Sequence, residues 1–374
     1  MIQFVPKTFY SFHFSVILLS FLLRFAVSHR GKNSDFDAYE RVVIAVENLV
    51  TPWETYGYNY GIIWAVLLFL LDFISLNNQF IFRILVITIL TAADLYIAKV
   101  IALRFGKKFG LIFLLNPISV LITGYYNQFD NLALAIGLAA VINISHGGKK
   151  IWSIILLSCS LITKHNLVLF LPWIFFNKQF REDRYTYTFV PLSVFMLHFL
   201  PFSLGSPYAP KAIWSNVFLY WSNNNAPLWH FIVNNEKLIK DLSDHNAWHH
   251  GRIWMILFFA SVTAIGYIRQ SKGIVDNFFV YTLCLVIFSS AITSQFYAIA
   301  AIGASAFFNP AFILFFVFGA IWLLAEPNGL HINSVKSIID FFNYNGWNAT
   351  PFLLLPGIIW IFIKKYSNSR YKRK

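Results

Sequence analysis

Long apolar runs alternate with short polar breaks along almost the whole chain. A window of about 20 apolar residues per crossing marks runs near 10–28, 60–76, 79–104, 109–124, 130–145, 151–176, 188–204, 253–269, 278–307, 309–325 and 349–364. The runs 79–104, 151–176 and 278–307 each fit either one tilted helix or two short crossings. The pattern therefore predicts an all-α, polytopic integral membrane protein with about 11–14 transmembrane helices. The first run is long for a signal-peptide core and is read as a span. Residues 1–374 read as a single transmembrane domain. The two largest polar inserts, 29–58 and 206–252, are too short and too aromatic for independent folds, and read as caps on the bilayer surface. Within the first, Val42, Val43, Ala45, Val46 and Val50 set against Glu40, Arg41, Glu47 and Asn48 predict an interfacial helix over 38–50. Ser34 and Asp37 stand at capping-box spacing before it.

Composition agrees. Residues are 58% hydrophobic and 12% charged, against about a quarter charged in soluble domains. The net charge of +13 comes from 29 Lys+Arg and 16 Asp+Glu. Much of the excess sits at Lys107–Lys108, Lys149–Lys150, Lys178–Arg184, Arg269–Lys272 and the tail Lys364–Lys374. Such clusters beside apolar segments are a positive-inside signal, and with no nucleic-acid motif beside them they argue against nucleic acid as a partner. Placed in the cytoplasm, they send 29–58, 125–130, Lys164–His165, 206–252 and 326–348 to the opposite face. Counting crossings leaves a mismatch before Lys107, which a re-entrant piece or an extra short crossing near 79–104 resolves. Cys159 and Cys284 lie within apolar runs and offer neither a disulfide framework nor a thiolate metal site.

Carboxylates are scarce, so Asp35 and Asp37, one residue apart at a membrane surface, are the first candidates for chemistry. Held together, they raise one pKa toward a base that works near neutral pH, or they hold a divalent ion such as Mg or Mn; as a solvated helix cap they do neither. Lys164 ends an apolar run on the face where positive charge is disfavoured, which predicts an anionic neighbour or snorkelling to headgroups. His165, His249, His250 and Arg252 are further candidates for an anion, and His245 with His249 has metal-ligand spacing. Tyr58, Tyr60, Asn127, Gln128 and Asp130 are polar or aromatic groups near these breaks, with helix capping the plain alternative for Asp130. Asp94 and Arg83 lie within one run and pair with each other or with a neighbouring span. Trp214, Tyr220, Trp221, Trp229, Trp248 and Trp254 read as a ring-stacking platform for a ligand or as an interfacial aromatic belt.

The order of a first span, the acidic loop Ser34-Asp-Phe-Asp-Ala-Tyr-Glu-Arg41, Tyr56-Gly-Tyr-Asn-Tyr-Gly61, Asn116-Pro117, Tyr126-Asn-Gln-Phe-Asp-Asn131 and Thr163-Lys-His-Asn166 resembles the GT-C superfamily of glycosyltransferases. The resemblance covers about residues 1 to 200, and it rests on the order of the motifs. It departs at Asn127, where relatives often carry His or Gly, and at Lys164-His165, where several have Lys-Gln. It implies transfer of a hexose, mannose or glucose first, from a polyprenyl-phosphate donor to an extracytoplasmic glycan, lipid or protein acceptor with inversion. Asp35 or Asp37 is then the general base, Lys164, His165, Arg252, His249 and His250 hold the leaving phosphate, Tyr58, Tyr60, Asn127, Gln128 and Asp130 meet the sugar or acceptor, and the tryptophan-rich loop is a sugar-stacking platform or a plain interfacial belt. It further implies a site facing the periplasm or exterior of a bacterial inner membrane, with the donor's tail among membrane lipids. The alternatives are a lipid-linked oligosaccharide flippase or transporter, which inverted repeats, broken helices and charges at the midplane would favour where this sequence shows no repeat, and a polysaccharide polymerase or ligase, which arginine-rich outer loops would favour where these are poor in arginine.

Overall fold

The computed structural model describes residues 12–55, 57–218, 226–237, 251–326 and 329–363, and of residues 251 and 252 the backbone alone. All regular structure among them is helical. Three helices are long and apolar enough to cross a membrane: Gln79–Phe105, Arg184–Gly205 and Gly346–Ile363. Lys107–Leu115 with Pro117–Tyr126 makes a fourth when the 46° bend between them is counted within one span. Other apolar helices run 10–17 residues. The three ambiguous runs resolve differently: 79–104 is one unbroken helix, 151–176 stops at Lys164, and 278–307 is interrupted between Ile287 and Ser294. Helices of full crossing length are thus fewer than the expected 11–14, because polar residues cut the apolar runs into shorter pieces.

The first helices show how the ends of the bundle are organised. Helix α1 (Phe14–Ser28) leads to α2 (Ser34–Glu47), α3 (Ile62–Ser75) and the 27-residue α4 (Gln79–Phe105). Arg83, one turn into α4, donates from Nη1 to Ser28 O at 2.9 Å and from Nη2 to Tyr125 O at 3.3 Å, so α4 begins where α1 ends. Helix α3 begins at this same end: Gly61 N donates to Thr163 O at 3.4 Å, and the Trp64 ring stacks on Phe129 at 4.1 Å. The approach is so close that a Cβ at Gly61 would lie 1.6 Å from Ile162 O. Both ends of α3 therefore lie at one end of the bundle, alongside α2, where Tyr39 meets Trp64 edge-on at 5.4 Å. The run 60–76, expected to cross, does not carry the chain to the other end, and this accounts for the parity mismatch before Lys107.

The opposite end gathers the basic breaks. Arg104 pairs with Asp276 at 2.9 Å and Lys150 with Asp183. Lys178 N donates to Gln270 O at 3.0 Å, and Asn177 Nδ2 to Lys272 O at 3.0 Å. The remaining helices of the core are α5 (Lys107–Leu115), α6 (Pro117–Leu121), α7 (Asp130–Ser145), α8 (Lys150–Thr163), α9 (Leu171–Phe176), α10 (Arg184–Leu197), α11 (Gly251–Ile268), α12 (Ile274–Ile287), α13 (Ser294–Ala306), α14 (Pro310–Ala325) and α15 (Gly346–Ile363).

Between the two ends lies a buried ion pair. Arg24 of α1 reaches Asp94 of α4 at 2.8 Å, and both side chains are fully buried. Asp94 also accepts from Thr123 Oγ1 at 2.6 Å and Asn131 Nδ2 at 2.7 Å. Arg24 further donates to Leu114 O, a carbonyl at the α5–α6 break. Pro117 supplies no N–H there, and the Asn116 amide fills the gap, reaching Phe113 O at 2.6 Å and Ile112 O at 2.9 Å. Asp94 thus pairs with a neighbouring helix and not with Arg83.

Candidate functional site

The polar site is assembled where helices start and stop. Asn33 caps α2, accepting from Phe36 N at 3.3 Å and donating from Nδ2 to Asp35 Oδ2 at 3.1 Å. The π-helical turn 122–126 ends on Asn127, whose φ of 54° is left-handed. This reversal delivers Gln128, Phe129 and Asp130 to α2, and Gln128 Nε2 donates to Asp35 Oδ2. Asn127 itself is taken up by the backbone: its Nδ2 binds Thr123 O and Gly124 O, and its Oδ1 accepts from Arg83. Both ends of its side-chain amide are thus engaged within the protein.

Lys164 stands at the α8 break in an extended conformation. Its Nζ lies 2.8 Å from Asp130 Oδ2 in a pair 5% and 1% exposed, and 3.4 Å from Gln295 Oε1 at the start of α13. The rings of Tyr60 and Phe129 lie 4.7 and 4.9 Å from the ammonium. Asn166 Nδ2 donates to the other Asp130 oxygen at 2.7 Å. The anion that Lys164 demanded is thus supplied by the protein, and the Asp130 side chain serves the cation instead of capping α7.

The acidic pair does not act as a pair. Residues two apart on a helix project about 200° apart; Asp35 turns inward, while Asp37 is half-exposed on a surface pair with Lys32 at 2.7 Å. They offer no common chelate, and among the described residues no three His, Cys, Asp or Glu side chains converge on a metal position. Burial pushes the Asp35 carboxyl above its ordinary value. Lys164 and the hydrogen bonds from Asn33 and Gln128 pull it back, and Asp130 pushes it up. The like charge that matters is Asp130, not Asp37.

Tyr58 is buried and donates to Gly61 O at 2.7 Å, which ties its hydroxyl to the backbone. Tyr60 packs edge-on against Phe129 at 4.6 Å. His165 is turned toward Phe195, with a ring-centroid distance of 6.2 Å. Trp229 and Trp254 are buried together, whereas Trp214 is exposed. His245, His249, His250, Tyr56, Tyr220, Trp221, Trp248 and the tail 364–374 lie outside the described residues, and Arg252 is described as backbone in the first turn of α11.

Some contributors escaped the sequence reading. Glu326, at the end of α14, accepts from Tyr126 Oη at 2.5 Å and from Ser294 Oγ, and burial pushes its pKa up. It ties together the segments that carry Gln128 and Gln295. A signal existed: Glu326 is one of only 16 Asp+Glu in the chain and directly follows the apolar run 309–325. Arg24, alone in its apolar run, was equally visible.

Comparison of the chain with family models, with curated proteins and with solved structures finds no match.

Proposed function

We propose that the protein is a polytopic membrane glycosyltransferase of GT-C type, moving a hexose from a polyprenyl-phosphate donor to an extracytoplasmic acceptor with inversion. The observation that carries this reading is Asp35: a half-buried carboxylate in a polar site made at helix breaks, held by Asn33 and Gln128 and near the Lys164 cation. In the proposed reaction the acceptor hydroxyl gives its proton to Asp35 while its oxygen bonds the anomeric carbon. The bond from that carbon to the phosphate oxygen breaks, and the phosphate leaves with the electron pair. Lys164 is the positive group closest to hand for the departing phosphate, releasing part of its hold on Asp130 as the new charge develops. Asp37, on its surface pair, takes no part.

The three or four helices of crossing length, with shorter apolar helices beside them and α3 at one end, suit a polytopic bundle. The basic end then faces the cytoplasm and the site faces outward, in a bacterial inner membrane by this reading. The test is sugar transfer from a panel of polyprenyl-phosphate hexoses by wild type, Asp35→Asn and Asp37→Asn. Asp35→Asn is expected to lose about 10²–10⁴-fold in rate, and Asp37→Asn to stay within a few-fold. Equal loss in both, or in neither, overturns the assignment.

One observation favours a transporter: the α5–α6 break beside the buried Arg24–Asp94 pair combines a broken helix with intramembrane charge. Asp94, however, already has donors in Arg24, Thr123 and Asn131, which suits a structural joint. Translocation of a lipid-linked glycan by wild type, with no donor consumed, would establish the transporter instead.

A further inference from the structure

The side-chain amide of Gln128 is 2% exposed. Its Nε2 donates to Asp35 Oδ2. An ionised carboxylate only accepts, so turning the amide round would set oxygen against oxygen, and the orientation is fixed by chemistry. Its Oε1 is buried and has no hydrogen-bond partner among the described residues. A buried acceptor left in this way is costly; nineteen buried side-chain atoms among the described residues are in this state. This one stands beside the candidate base.

Asp35 shows a matching asymmetry. The bonds from Asn33 and Gln128 both arrive at Oδ2, and Oδ1 receives none from the described residues. Two acceptors, Asp35 Oδ1 and Gln128 Oε1, therefore flank a single amide-to-carboxylate hydrogen bond, and the fold supplies neither with a donor. A ligand with two neighbouring hydroxyl groups would supply a donor to each.

We propose that Gln128 Oε1 and Asp35 Oδ1 grip two adjacent hydroxyls of the acceptor, which is therefore a vicinal diol on a sugar ring and not a lone hydroxyl of a lipid, serine or threonine. This rests on the glycosyl-transfer reading for what Asp35 does with its hydroxyl. That hydroxyl loses its proton to Asp35 as its oxygen bonds the anomeric carbon. Its neighbour donates to Gln128 Oε1 and leaves the reaction unchanged, so it sets which oxygen is glycosylated.

The test uses the full chain in detergent micelles, methyl hexopyranosides and their monodeoxy analogues. Equilibrium binding is read by saturation-transfer NMR, and sugar transfer is measured onto the same compounds. Wild type is expected to bind a parent glycoside about ten- to a hundred-fold more tightly than the analogue lacking one of the two hydroxyls. Gln128→Leu is expected to bind parent and analogue alike. The analogues probe the intact protein, so the result does not depend on how the variant folds. Equal binding of parent and all analogues by wild type, no binding of any glycoside, or a preference that survives in Gln128→Leu overturns the proposal, and Oε1 then holds only water. Selective binding without transfer keeps the diol site and rejects glycosyl transfer. Transfer onto parent and analogues at equal rates does the reverse.

Discussion

Removing one member of the Arg24–Asp94 pair tests how the interior of the bundle is held. Both side chains are fully buried, 2.8 Å apart, and taking away one partner of such a pair costs about 3–5 kcal/mol because the other is stranded. The two deletions differ in what remains. After Arg24→Met, Asp94 keeps donors in Thr123 at 2.6 Å, Asn131 at 2.7 Å and Ser119 at 3.4 Å. After Asp94→Ala, the guanidinium keeps only neutral acceptors, Ser20 Oγ at 2.7 Å, Ser119 Oγ at 2.8 Å, and Ser20 O and Leu114 O at 3.2 Å. Asp94→Ala is therefore expected near the upper end of that range and Arg24→Met near the lower. Replacing both, as Arg24→Met with Asp94→Leu, leaves no buried charge and is expected to cost less than either single change. Reversible unfolding in mixed micelles, followed by far-UV circular dichroism, gives all three values. Single costs no larger than the ~0.6 kcal/mol of an ordinary interhelical hydrogen bond in lipid, or a double variant as unstable as the sum of the singles, would refute the reasoning.

Asp35 carries a sign that stability measurements can read. Its folded carboxyl lies above the ordinary 3.8, so its contribution to stability is complete below that value and is lost as pH rises through the raised one. Asp35→Asn should therefore gain on wild type between pH 3.5 and pH 7; a difference that stays flat or shrinks with rising pH contradicts the burial. Asn116→Ala loses a side chain that reaches two carbonyls and caps α6 through Ser119 N at 2.9 Å, and about 2–4 kcal/mol of destabilisation is expected from the same unfolding assay. Single cysteines at Ser34 and Leu76 should react with an impermeant maleimide from the same side of the membrane, and one at Lys149 from the other; labelling of positions 34 and 76 from opposite sides would make α3 a true crossing.

The fold was legible where a single property dominated. Apolarity gave the all-helical character, and charge gave the basic end, since Arg104, Lys150, Lys178 and Lys272 do converge there. Apolarity did not say that 60–76 turns back: its composition matches a crossing, and only the contacts of Gly61 with the end of α8 and of Arg83 with Ser28 decide it. At the site, scarcity singled out Asp35 and position singled out Lys164. Their partners were hidden because Asp130 lies 34 residues from Lys164, and Gln128 lies 93 from Asp35. Asp37 misled for a local reason, the helical turn that sends side chains two residues apart to opposite faces. The left-handed backbone at Asn127, unmarked in the sequence, turns its amide onto the preceding carbonyls.

The side chains of the site share one structural origin, which explains why they could be brought together at all. Asn33 and Asp35 come from the start of α2, Gln128 and Asp130 from the reversal after the π turn, Lys164 and Asn166 from the break after α8, and Gln295 from the start of α13. A continuous helix satisfies its own backbone and leaves polar side chains at membrane depth without partners, so irregular backbone is tolerated only where it is buried in protein or faces a polar cavity. Each interruption frees backbone groups that polar side chains must meet, as Asn127 and Asn116 do. Several such interruptions at one end of the bundle concentrate amides and charges there while the rest of the chain stays apolar. Glu326 then holds two of the interrupted segments in register through Tyr126 and Ser294. Asp35 is the member of this set proposed for chemistry, because it combines partial exposure, a carboxyl raised by burial and an oxygen that receives no donor from the described residues.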